Sequence, residues 1–513
     1  MSGMEQYVLA IDEGTTSARA IVFDHSGSVI SVGQREFTQI FPHPGWAEHD
    51  PVEVWGAVRA VVAEALQQAD INRHALAAVG ITNQRETTVV WDRNTGEPVC
   101  NAIVWQDTRT APFIHELEAA GGPDRFRDVC GLRLSPYFSA SKIRWILDNV
   151  SGARERAEAG DLCFGNMDSW VLWNLTGGIH GGVHITDVTN ASRTMLMDIH
   201  TLAWRPGLCE AFGVPMSMLP EIRSSSEIYG YGRKNGLLID TPVAGILGDQ
   251  QAAAFGQACF RPGMAKNTYG TGCFMLLNTG EEPVFSRHGL LTTVAYRLGG
   301  AKPAYALEGS VAVAGSVVQW LRDNLGIIKS SSDIAALASS VEDNGGVYFV
   351  PAFSGLFAPY WQDSARGAIV GLTRYATAGH IARAAEESIA FQVNDVLDAM
   401  DADIMDAAVR GFGSRSPLAC LTVDGGAARD DMLMQFQADV SGVDVVRPKV
   451  VETTALGAAY AAGLAAGFWS STSELAANWQ EDKRWMPCMD VGSRRQALHR
   501  WKKAVARAFD WAE

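Results

Sequence analysis

The segment Tyr7–Phe23, YVLAIDEGTTSARAIVF, carries the clearest information about the fold. Its two apolar runs, YVLAI and ARAIVF, flank a polar turn, which predicts a hairpin of two buried strands. A similar unit occurs in the second half, where an apolar run at Gly263–Thr268 leads through the turn Tyr269–Gly272 to a returning strand at Cys273–Asn278. Because the two units lie about half the chain apart, they indicate an internal duplication of two α/β domains.

Helical and strand patterns alternate through the rest of the chain, which is typical of an α/β fold. Asp50 and Pro51 predict the N-cap and the first residue of a helix, with Glu53 completing the cap. The domain boundary is predicted near residue 256, which gives an N-terminal domain at 1–256 and a C-terminal domain at 257–513. Ser471–Arg484 is predicted to be a surface connection. Further long helices are predicted at Val311–Leu325, Gly379–Met400 and Thr454–Ala466.

Composition excludes several functional classes. The 513 residues include 42 Lys and Arg against 57 Asp and Glu, so the formal net charge is −15. An acidic chain without a basic run is a poor candidate for binding nucleic acid or an anionic membrane. The 8 cysteines form no C-x-x-C pair, and the first twenty residues lack a secretory pattern. The uncharged stretch Thr453–Ser473 is rich in Ala and Gly, which favours a buried helix over membrane insertion. We therefore expect a cytoplasmic protein.

The turn of the first hairpin carries the strongest chemical signal. A Gly/Thr/Ser turn between two buried strands exposes N–H and hydroxyl groups that can bind phosphate oxygens. Asp12, at the end of a strand, can hold Mg²⁺ through water, and Arg19 can offset phosphate charge. An ordinary hairpin turn without a ligand is the alternative for this segment alone.

Three further features favour a nucleotide site. Gly270-Thr271-Gly272 repeats the chemistry of the first turn, and Val423–Ala427 (VDGGA) is a Gly-rich strand end. Asp249 places a carboxylate at another strand end, before an Ala-rich helix. Together these features resemble the nucleotide cleft of the actin-like ATPase (ribonuclease H-like) fold. That resemblance implies two duplicated domains with ATP bound in a cleft between them.

The chain also resembles the FGGY carbohydrate kinase family, and within it the glycerol-phosphorylating members, over essentially its whole length. Tyr137–Trp145 (YFSASKIRW) fits the first family signature, and Glu386 departs from the second because it occupies a usually apolar slot. The matching stretches are Asp12–Arg19, Gly80–Thr87, Asn101–Thr110, Tyr137–Trp145, Thr186–Thr194, Gly248–Ala253, Asn267–Phe274 and Val423–Ala427.

The family resemblance implies that ATP phosphorylates glycerol to sn-glycerol 3-phosphate with the help of Mg²⁺. Asp249 is implied as the general base and Arg19 as a second catalytic residue, while Asp12 and Asp249 are the implied metal ligands. The implied glycerol-binding residues are Arg85, Glu86, Trp105, Tyr137, Asp249, Gln250 and Phe274. The implied nucleotide-binding residues are Thr15, Thr16, Ser17, Arg19, Thr271, Gly315, Gln319, Gly426 and Asp430, where Asp430 replaces a frequent Asn.

Without the resemblance, plainer interpretations hold for several of these residues. Arg85 and Glu86 would be a surface ion pair, Trp105 a core residue, and Asp249 a helix N-cap. For the whole chain, one alternative is a kinase of the same family that acts on another polyol or a ketose. The other is an actin-like ATPase without a sugar substrate. The resemblance also implies a homodimer or homotetramer.

Overall fold

The computed structural model describes residues 6–409, 418 and 420–512. Its strands are β1 (Tyr7–Glu13), β2 (Ser17–Phe23), β3 (Val29–Glu36), β4 (Glu48–His49), β5 (Leu76–Asn83), β6 (Val89–Asp92), β7 (Ala102–Ile103), β8 (Leu162–Gly165), β9 (Ile185–Asp187), β10 (Met197–Asp198), β11 (Ala203–Trp204), β12 (Glu221–Arg223), β13 (Ser226–Tyr231), β14 (Pro242–Gly248), β15 (Ala265–Tyr269), β16 (Cys273–Gly280), β17 (Leu291–Tyr296), β18 (Ala304–Val311), β19 (Tyr348–Val350), β20 (Ala368–Val370), β21 (Cys420–Asp424), β22 (Asp444–Pro448) and β23 (Glu481–Trp485). Its α-helices are α1 (Pro51–Gln68), α2 (Ala111–Gly121), α3 (Arg127–Cys130), α4 (Ser139–Asn149), α5 (Ala153–Glu158), α6 (Met167–Thr176), α7 (Val188–Ala191), α8 (Pro206–Phe212), α9 (Asp249–Gly256), α10 (Gly315–Asp323), α11 (Ile334–Ala338), α12 (Ala378–Val409), α13 (Asp431–Ser441), α14 (Thr453–Ala466), α15 (Thr472–Asn478) and α16 (Val491–Val505).

The chain divides into two compact units that are not consecutive in sequence. The first unit consists of the described part of Met1–Phe260 together with Thr292–Ala306 and Glu452–Trp479. The remaining described residues form the second unit, so helix α14 returns to the first unit after the chain has passed through the second.

The first unit is built on a six-stranded sheet of order β13-β14-β5-β1-β2-β3. β1 and β2 form an antiparallel hairpin, as the sequence predicts, and β1, β5 and β14 are parallel. In register, Asp12 pairs with Thr82, and Gly248 pairs with Asn83. Because the carboxyl ends of parallel strands meet at one edge of a sheet, the residues that follow β1, β5 and β14 are brought together there.

Helix α14 packs on this sheet through small residues. A Cβ atom on Gly80 would overlap the Ala458 carbonyl, and one on Gly245 would lie 2.5 Å from Ala462 N. The backbone of α14 therefore approaches β5 and β14 more closely than larger residues would allow. Ala458, Ala461 and Ala462 have no exposed surface, which confirms the predicted buried helix. Among the described residues, no helix combines the length and apolar character needed to cross a bilayer.

The second unit repeats the strand arrangement of the first. Five strands of its large sheet lie in the order β16-β15-β21-β22-β23. β15 and β16 form an antiparallel hairpin, whereas β15 is parallel to β21 and β21 to β22. This is the same succession of pairings that joins β2, β1, β5 and β14 in the first unit. The internal duplication predicted from the two hairpins is confirmed.

The structure differs from the sequence prediction at several element ends. Helix α10 begins at Gly315 rather than Val311, because Val311 is the last residue of β18. The side chain of Asp50 caps α1 as predicted, but Glu53 does not complete the cap: its Oε1 accepts hydrogen bonds from the backbone and hydroxyl of Thr38. Ser471–Arg484 contains α15 and most of β23, so its interpretation as a connection was wrong.

Candidate active site

Two carboxylates lie at the edge of the first sheet where its parallel strands end. Asp12 is the penultimate residue of β1, and Asp249 is the first residue of α9, directly after β14. Burial raises the pKa of Asp12, Arg19 lowers it, and the charges of Asp249 and Glu452 raise it again. Arg19 Nη2 lies 3.3 Å from Asp12 Oδ2 and offsets part of this negative charge.

Glu452 belongs to the same cluster, although it is distant in sequence. Its Oε2 accepts a hydrogen bond from Arg19 Nη1 at 2.8 Å, across 433 residues of chain. Glu452 was not among the residues predicted from the sequence. The one signal available was an acidic residue directly before the uncharged helix α14, and that signal does not indicate a partner.

Arg85 is held in a buried position beside Asp249. Its side chain is 2% exposed, and its Nε lies 3.1 Å from Asp249 Oδ1. Arg85 Nη1 donates to Gln251 Oε1 at 3.1 Å, and Gln251 Nε2 donates to Thr293 Oγ1 at 3.3 Å. Gln251 therefore fixes the guanidinium. Its sequence context did not predict this role. Because Arg85 is buried and pairs with Asp249, the alternative of a surface ion pair with Glu86 was wrong.

Glu86 has a different partner and a strained backbone. It is 1% exposed and adopts a φ of 61°, which a non-glycine residue rarely does. Arg193 Nε donates to Glu86 Oε1 at 2.7 Å, and Arg193 is fully buried. A buried carboxylate is stable only when it is paired, so Arg193 holds Glu86 in place. Arg193 lies in the family-like stretch Thr186–Thr194, but sequence reasoning assigned it no role.

Trp105 and Tyr137 form an aromatic pair. Their ring centroids are 5.6 Å apart at an interplanar angle of 77°, an edge-to-face contact. Lys142 Nζ anchors the segment that carries Tyr137 by donating to the carbonyls of Pro136 (2.8 Å), Tyr137 (2.6 Å) and Phe138 (3.2 Å). Burial lowers the pKa of Lys142 to about 7. All three donors of its ammonium group are used, so Lys142, to which the sequence assigned no role, fixes the segment.

The turn of the first hairpin lies beside this aromatic pair. It is closed by a hydrogen bond from Gly14 N to Ser17 O at 3.0 Å, and Trp105 Nε1 donates to Thr15 Oγ1 at 3.0 Å. The side chain of Gln84 fixes the turn, since its Nε2 donates to Glu13 Oε1 at 2.9 Å and to the Gly14 carbonyl at 3.1 Å. Burial raises the pKa of Glu13 well above its usual value.

In the second unit, the equivalent turn contacts the start of α10. The Thr271 carbonyl accepts hydrogen bonds from Ala314 N at 2.9 Å and Ser316 N at 3.2 Å. Gly315 N donates to Gly270 O at 2.9 Å, and a Cβ on Gly315 would come within 2.7 Å of that oxygen. The structure thus brings Thr271 and Gly315 together, with Gln319 exposed one turn further along α10.

The Gly-rich end of β21 lies next to the same hairpin. Gly425 has a φ of 87°, and a Cβ there would lie 2.4 Å from the Tyr269 carbonyl, so glycine is required. Gly426 is exposed, with open space where a Cβ would be. Asp430 caps α13, its Oδ1 accepting from the backbone N–H groups of the second and third helical residues at 2.9 and 3.1 Å.

Glu386 lies beside Asp430 and is 2% exposed. Burial, followed by the neighbouring charge of Asp430, raises the pKa of Glu386 to about 9. Neither of its carboxylate oxygens accepts a hydrogen bond from a described residue. A protonated Glu386 can itself donate to the Asp430 carboxylate, which explains how two acidic groups occupy adjacent positions.

The other predicted residues have different surroundings. Thr16 is exposed, and Ser17 and Thr15 are half-buried. Gln250 is 8% exposed in the first turn of α9. Phe274 lies in the second unit, half-buried on β16. Within the described residues, no group of three or more His, Cys, Asp or Glu side chains converges as a metal site.

Comparison with family models identifies both halves of the chain. Residues 7–256 match the N-terminal domain of the FGGY family of carbohydrate kinases, and residues 265–466 match the C-terminal domain of that family.

Curated relatives are similar over the whole chain. A glycerol kinase of Paenarthrobacter aurescens is 64% identical over 510 residues, which is 99% of both chains. One from Saccharopolyspora erythraea is 61% identical over 99% of this chain and 100% of its own. Among solved structures, Plasmodium falciparum glycerol kinase with ADP is similar with a TM-score of 0.89 at 38% identity, covering 98% of each chain. Xylulose kinase from Lactobacillus acidophilus shares the fold, with a TM-score of 0.83 at 22% identity, covering 98% of this chain and 97% of its own.

Proposed function

The chain belongs to the FGGY family of carbohydrate kinases, and on that basis we propose that it transfers the γ-phosphoryl group of ATP to a primary hydroxyl of glycerol. The product is sn-glycerol 3-phosphate. The observation that carries this proposal is the 64% identity to a glycerol kinase over 99% of the chain. That relatedness extends through both units.

The glycerol site is proposed to lie around Arg85 and the aromatic pair. A small triol needs polar partners for its hydroxyl groups and an apolar surface for its carbon atoms. Arg85 and Glu86 supply fixed charged groups, and the Trp105–Tyr137 pair supplies a flat wall. We assign Gln250 to a further hydroxyl contact and Phe274 to an apolar contact with the glycerol carbons. Because Gln251, Arg193 and Lys142 already hold these groups in place, little side-chain entropy is lost when the substrate binds.

Asp249 is proposed as the general base. Its Oδ1 is fixed by Arg85 Nε at 3.1 Å and by the N–H of Gln250 at 2.7 Å, while the side chain remains 30% exposed. The carboxylate is therefore oriented but accessible. It would accept the proton of the attacking hydroxyl as the oxygen bonds to phosphorus, and the transferred group would leave ADP in line.

The nucleotide side is proposed to use the two hairpin turns and the Gly-rich strand end. Exposed N–H and hydroxyl groups at the turns suit phosphate oxygens, and Arg19 adds positive charge beside them. Gly315, Gln319, Gly426 and Asp430 would contact the remainder of the nucleotide. The phosphate-binding residues in this proposal are Thr15, Thr16, Ser17, Arg19 and Thr271.

Mg²⁺ is proposed to be held by Asp12 and Asp249. The donor set fits this ion, because carboxylate oxygens are its preferred protein ligands and it retains most of its water shell. The mutual charge of the two carboxylates, which helps to raise the pKa of Asp12, would be relieved by a cation. When bound, Mg²⁺ supplies charge neutralisation on the phosphate oxygens.

ADP formation with and without glycerol tests the proposed function. A glycerol kinase releases ADP at a rate that depends strongly on glycerol and yields stoichiometric sn-glycerol 3-phosphate. An actin-like ATPase would release ADP at the same rate without glycerol, and that result would contradict the proposal. Activity with another polyol or a ketose and none with glycerol would assign the chain to a different kinase of the same family.

We further propose that the enzyme is a cytoplasmic homodimer or homotetramer. Support comes from the family resemblance and from the 8 cysteines, each of which is a free thiol in the structure. Light scattering coupled to size-exclusion chromatography measures the assembly directly. A mass of one chain, 55.2 kDa, across the working concentration range would contradict this part of the proposal.

A further inference from the structure

One hydrogen bond joins the aromatic wall to the phosphate-binding turn. Trp105 Nε1 donates to Thr15 Oγ1 at 3.0 Å. The backbone of Trp105 is fixed as well, since its N–H donates to Thr87 Oγ1 at 3.2 Å. The indole therefore contacts both the turn and the ring of Tyr137.

The turn has its acceptors satisfied and its donors available. Each backbone carbonyl of residues 14–16 accepts a hydrogen bond from a group outside the turn. The donors are Gln84 Nε2 at 3.1 Å, Gln39 Nε2 at 3.1 Å and Phe37 N at 3.3 Å. No described residue accepts a hydrogen bond from the backbone N–H groups of Thr15 and Thr16. The turn thus presents N–H donors to an anion, while its carbonyl oxygens already accept hydrogen bonds from other groups.

The chemistry of a hydroxyl group determines the direction of the Thr15 hydrogen. A threonine hydroxyl has one hydrogen and two lone pairs, whereas an indole N–H is only a donor. In the bond between them, Thr15 must therefore be the acceptor. Its single hydrogen is left for another acceptor, and the incoming bond polarises the hydroxyl so that it donates more strongly.

We propose that Trp105 is a positioning residue for the nucleotide as well as a wall of the glycerol site. Its indole N–H directs the hydroxyl hydrogen of Thr15 toward a phosphate oxygen of ATP. This inference rests on the proposed function, in which Thr15 contacts the phosphates. Without the indole N–H, the hydroxyl can turn its hydrogen elsewhere, and the turn loses one ordered donor.

Nucleotide binding in the absence of glycerol tests this role, because an aromatic wall for glycerol cannot affect it. Trp105→Phe keeps a flat ring and removes the N–H, and Thr15→Val removes the hydroxyl. The measurement is calorimetric binding of the β,γ-imido analogue of ATP in the presence of Mg²⁺. We expect Trp105→Phe to raise the Kd of this analogue about three- to tenfold. We expect Thr15→Val to raise this Kd about tenfold, and the double variant to have a Kd no higher than that of Thr15→Val.

Trp46→Phe is the matched control. Arg109 Cζ lies 3.7 Å from the centroid of the Trp46 ring. Removing the indole N–H of Trp46 should leave binding of the analogue unchanged. Wild-type affinity in Trp105→Phe, with a raised glycerol KM alone, would overturn the proposal and leave Trp105 only a wall. If Trp105→Phe does not fold, wild-type affinity in Thr15→Val would overturn it equally. A wild-type protein that binds the analogue but does not phosphorylate glycerol would contradict the proposed function, and the affinities would still decide the role of Trp105.

Discussion

Asp249→Asn separates the catalytic role of this residue from a structural one. The N-cap of α9 is Gly248, and Asp249 follows it as the first helical residue without capping the helix. Its Oδ1 accepts hydrogen bonds from Arg85 Nε and from the N–H of Gln250. Asparagine keeps an oxygen at that position, so both bonds can persist, but it cannot accept a proton.

The two roles predict effects of very different size. Replacing a charged acceptor by a neutral one costs about 1 kcal/mol per hydrogen bond, and less here because the Asp249 side chain is 30% exposed. The expected fall in melting temperature is about 2–4 °C. Loss of a general base lowers kcat by about 10²–10⁴-fold, which corresponds to roughly 2.7–5.4 kcal/mol of transition-state stabilisation. A residue with only a structural role cannot lower kcat this much while the melting temperature falls by only a few degrees.

The assay is ADP release at saturating glycerol and ATP, with calorimetry for stability and for ATP binding. Asp50→Asn is the matched control, because Asp50 caps α1 by accepting from Val52 N at 2.8 Å and lies outside the proposed site. Asparagine caps about as well as aspartate, so this control should keep normal kcat. Turnover of Asp249→Asn within a few-fold of wild type would refute the assignment of the base.

Three further substitutions test residues in both units. Asp430→Asn should change the KM for ATP and leave kcat within a few-fold, because asparagine still caps α13; a large fall in kcat would show that the assigned role is wrong. Glu386→Gln removes a carboxyl group whose pKa is raised from 4.5 to about 9, so that stability of the wild type falls as pH rises through this window. The free energy of unfolding of the variant, measured relative to that of wild type, should therefore rise from pH 6 to pH 8 by up to about 1.4 kcal/mol per pH unit, with the exposed Glu36→Gln as a control; a difference between variant and wild type that does not depend on pH would contradict the raised pKa of Glu386. Lys142→Met should raise the KM for glycerol about tenfold and leave the KM for ATP unchanged, because only the segment of Tyr137 loses its anchor; an equal rise in both constants would indicate a general loss of structure.

Local patterns predicted the parts of the fold that depend on neighbouring residues. The hairpins at Tyr7–Phe23 and Gly263–Asn278 were evident from apolar runs around Gly/Thr turns, and the structure contains both. The cap at Asp50 was equally local. Where a tertiary partner competes, local reasoning was wrong: Glu53 binds Thr38 from a different segment instead of its own helix end.

Contacts across long sequence distances could not be predicted in this way. Nothing near Arg19 indicates that Glu452 is its partner, because the contact exists only after α14 has returned to the first sheet. Arg193 and Glu86 are 107 residues apart, and each is an ordinary charged residue in its own segment. The sequence indicated which residue types suit the proposed substrates, whereas the buried partners that hold them emerge only from the fold.

A substrate panel on the wild-type protein tests whether glycerol is its substrate. The ratio kcat/KM would be measured for glycerol, other small polyols and ketoses with ATP and Mg²⁺, and the product identified by mass and stereochemistry. The site around Arg85, Glu86 and the Trp105–Tyr137 pair predicts that glycerol gives the highest value and sn-glycerol 3-phosphate as product. A ketose or a longer polyol that exceeds glycerol, or ADP release that no added polyol or ketose stimulates, would contradict the account.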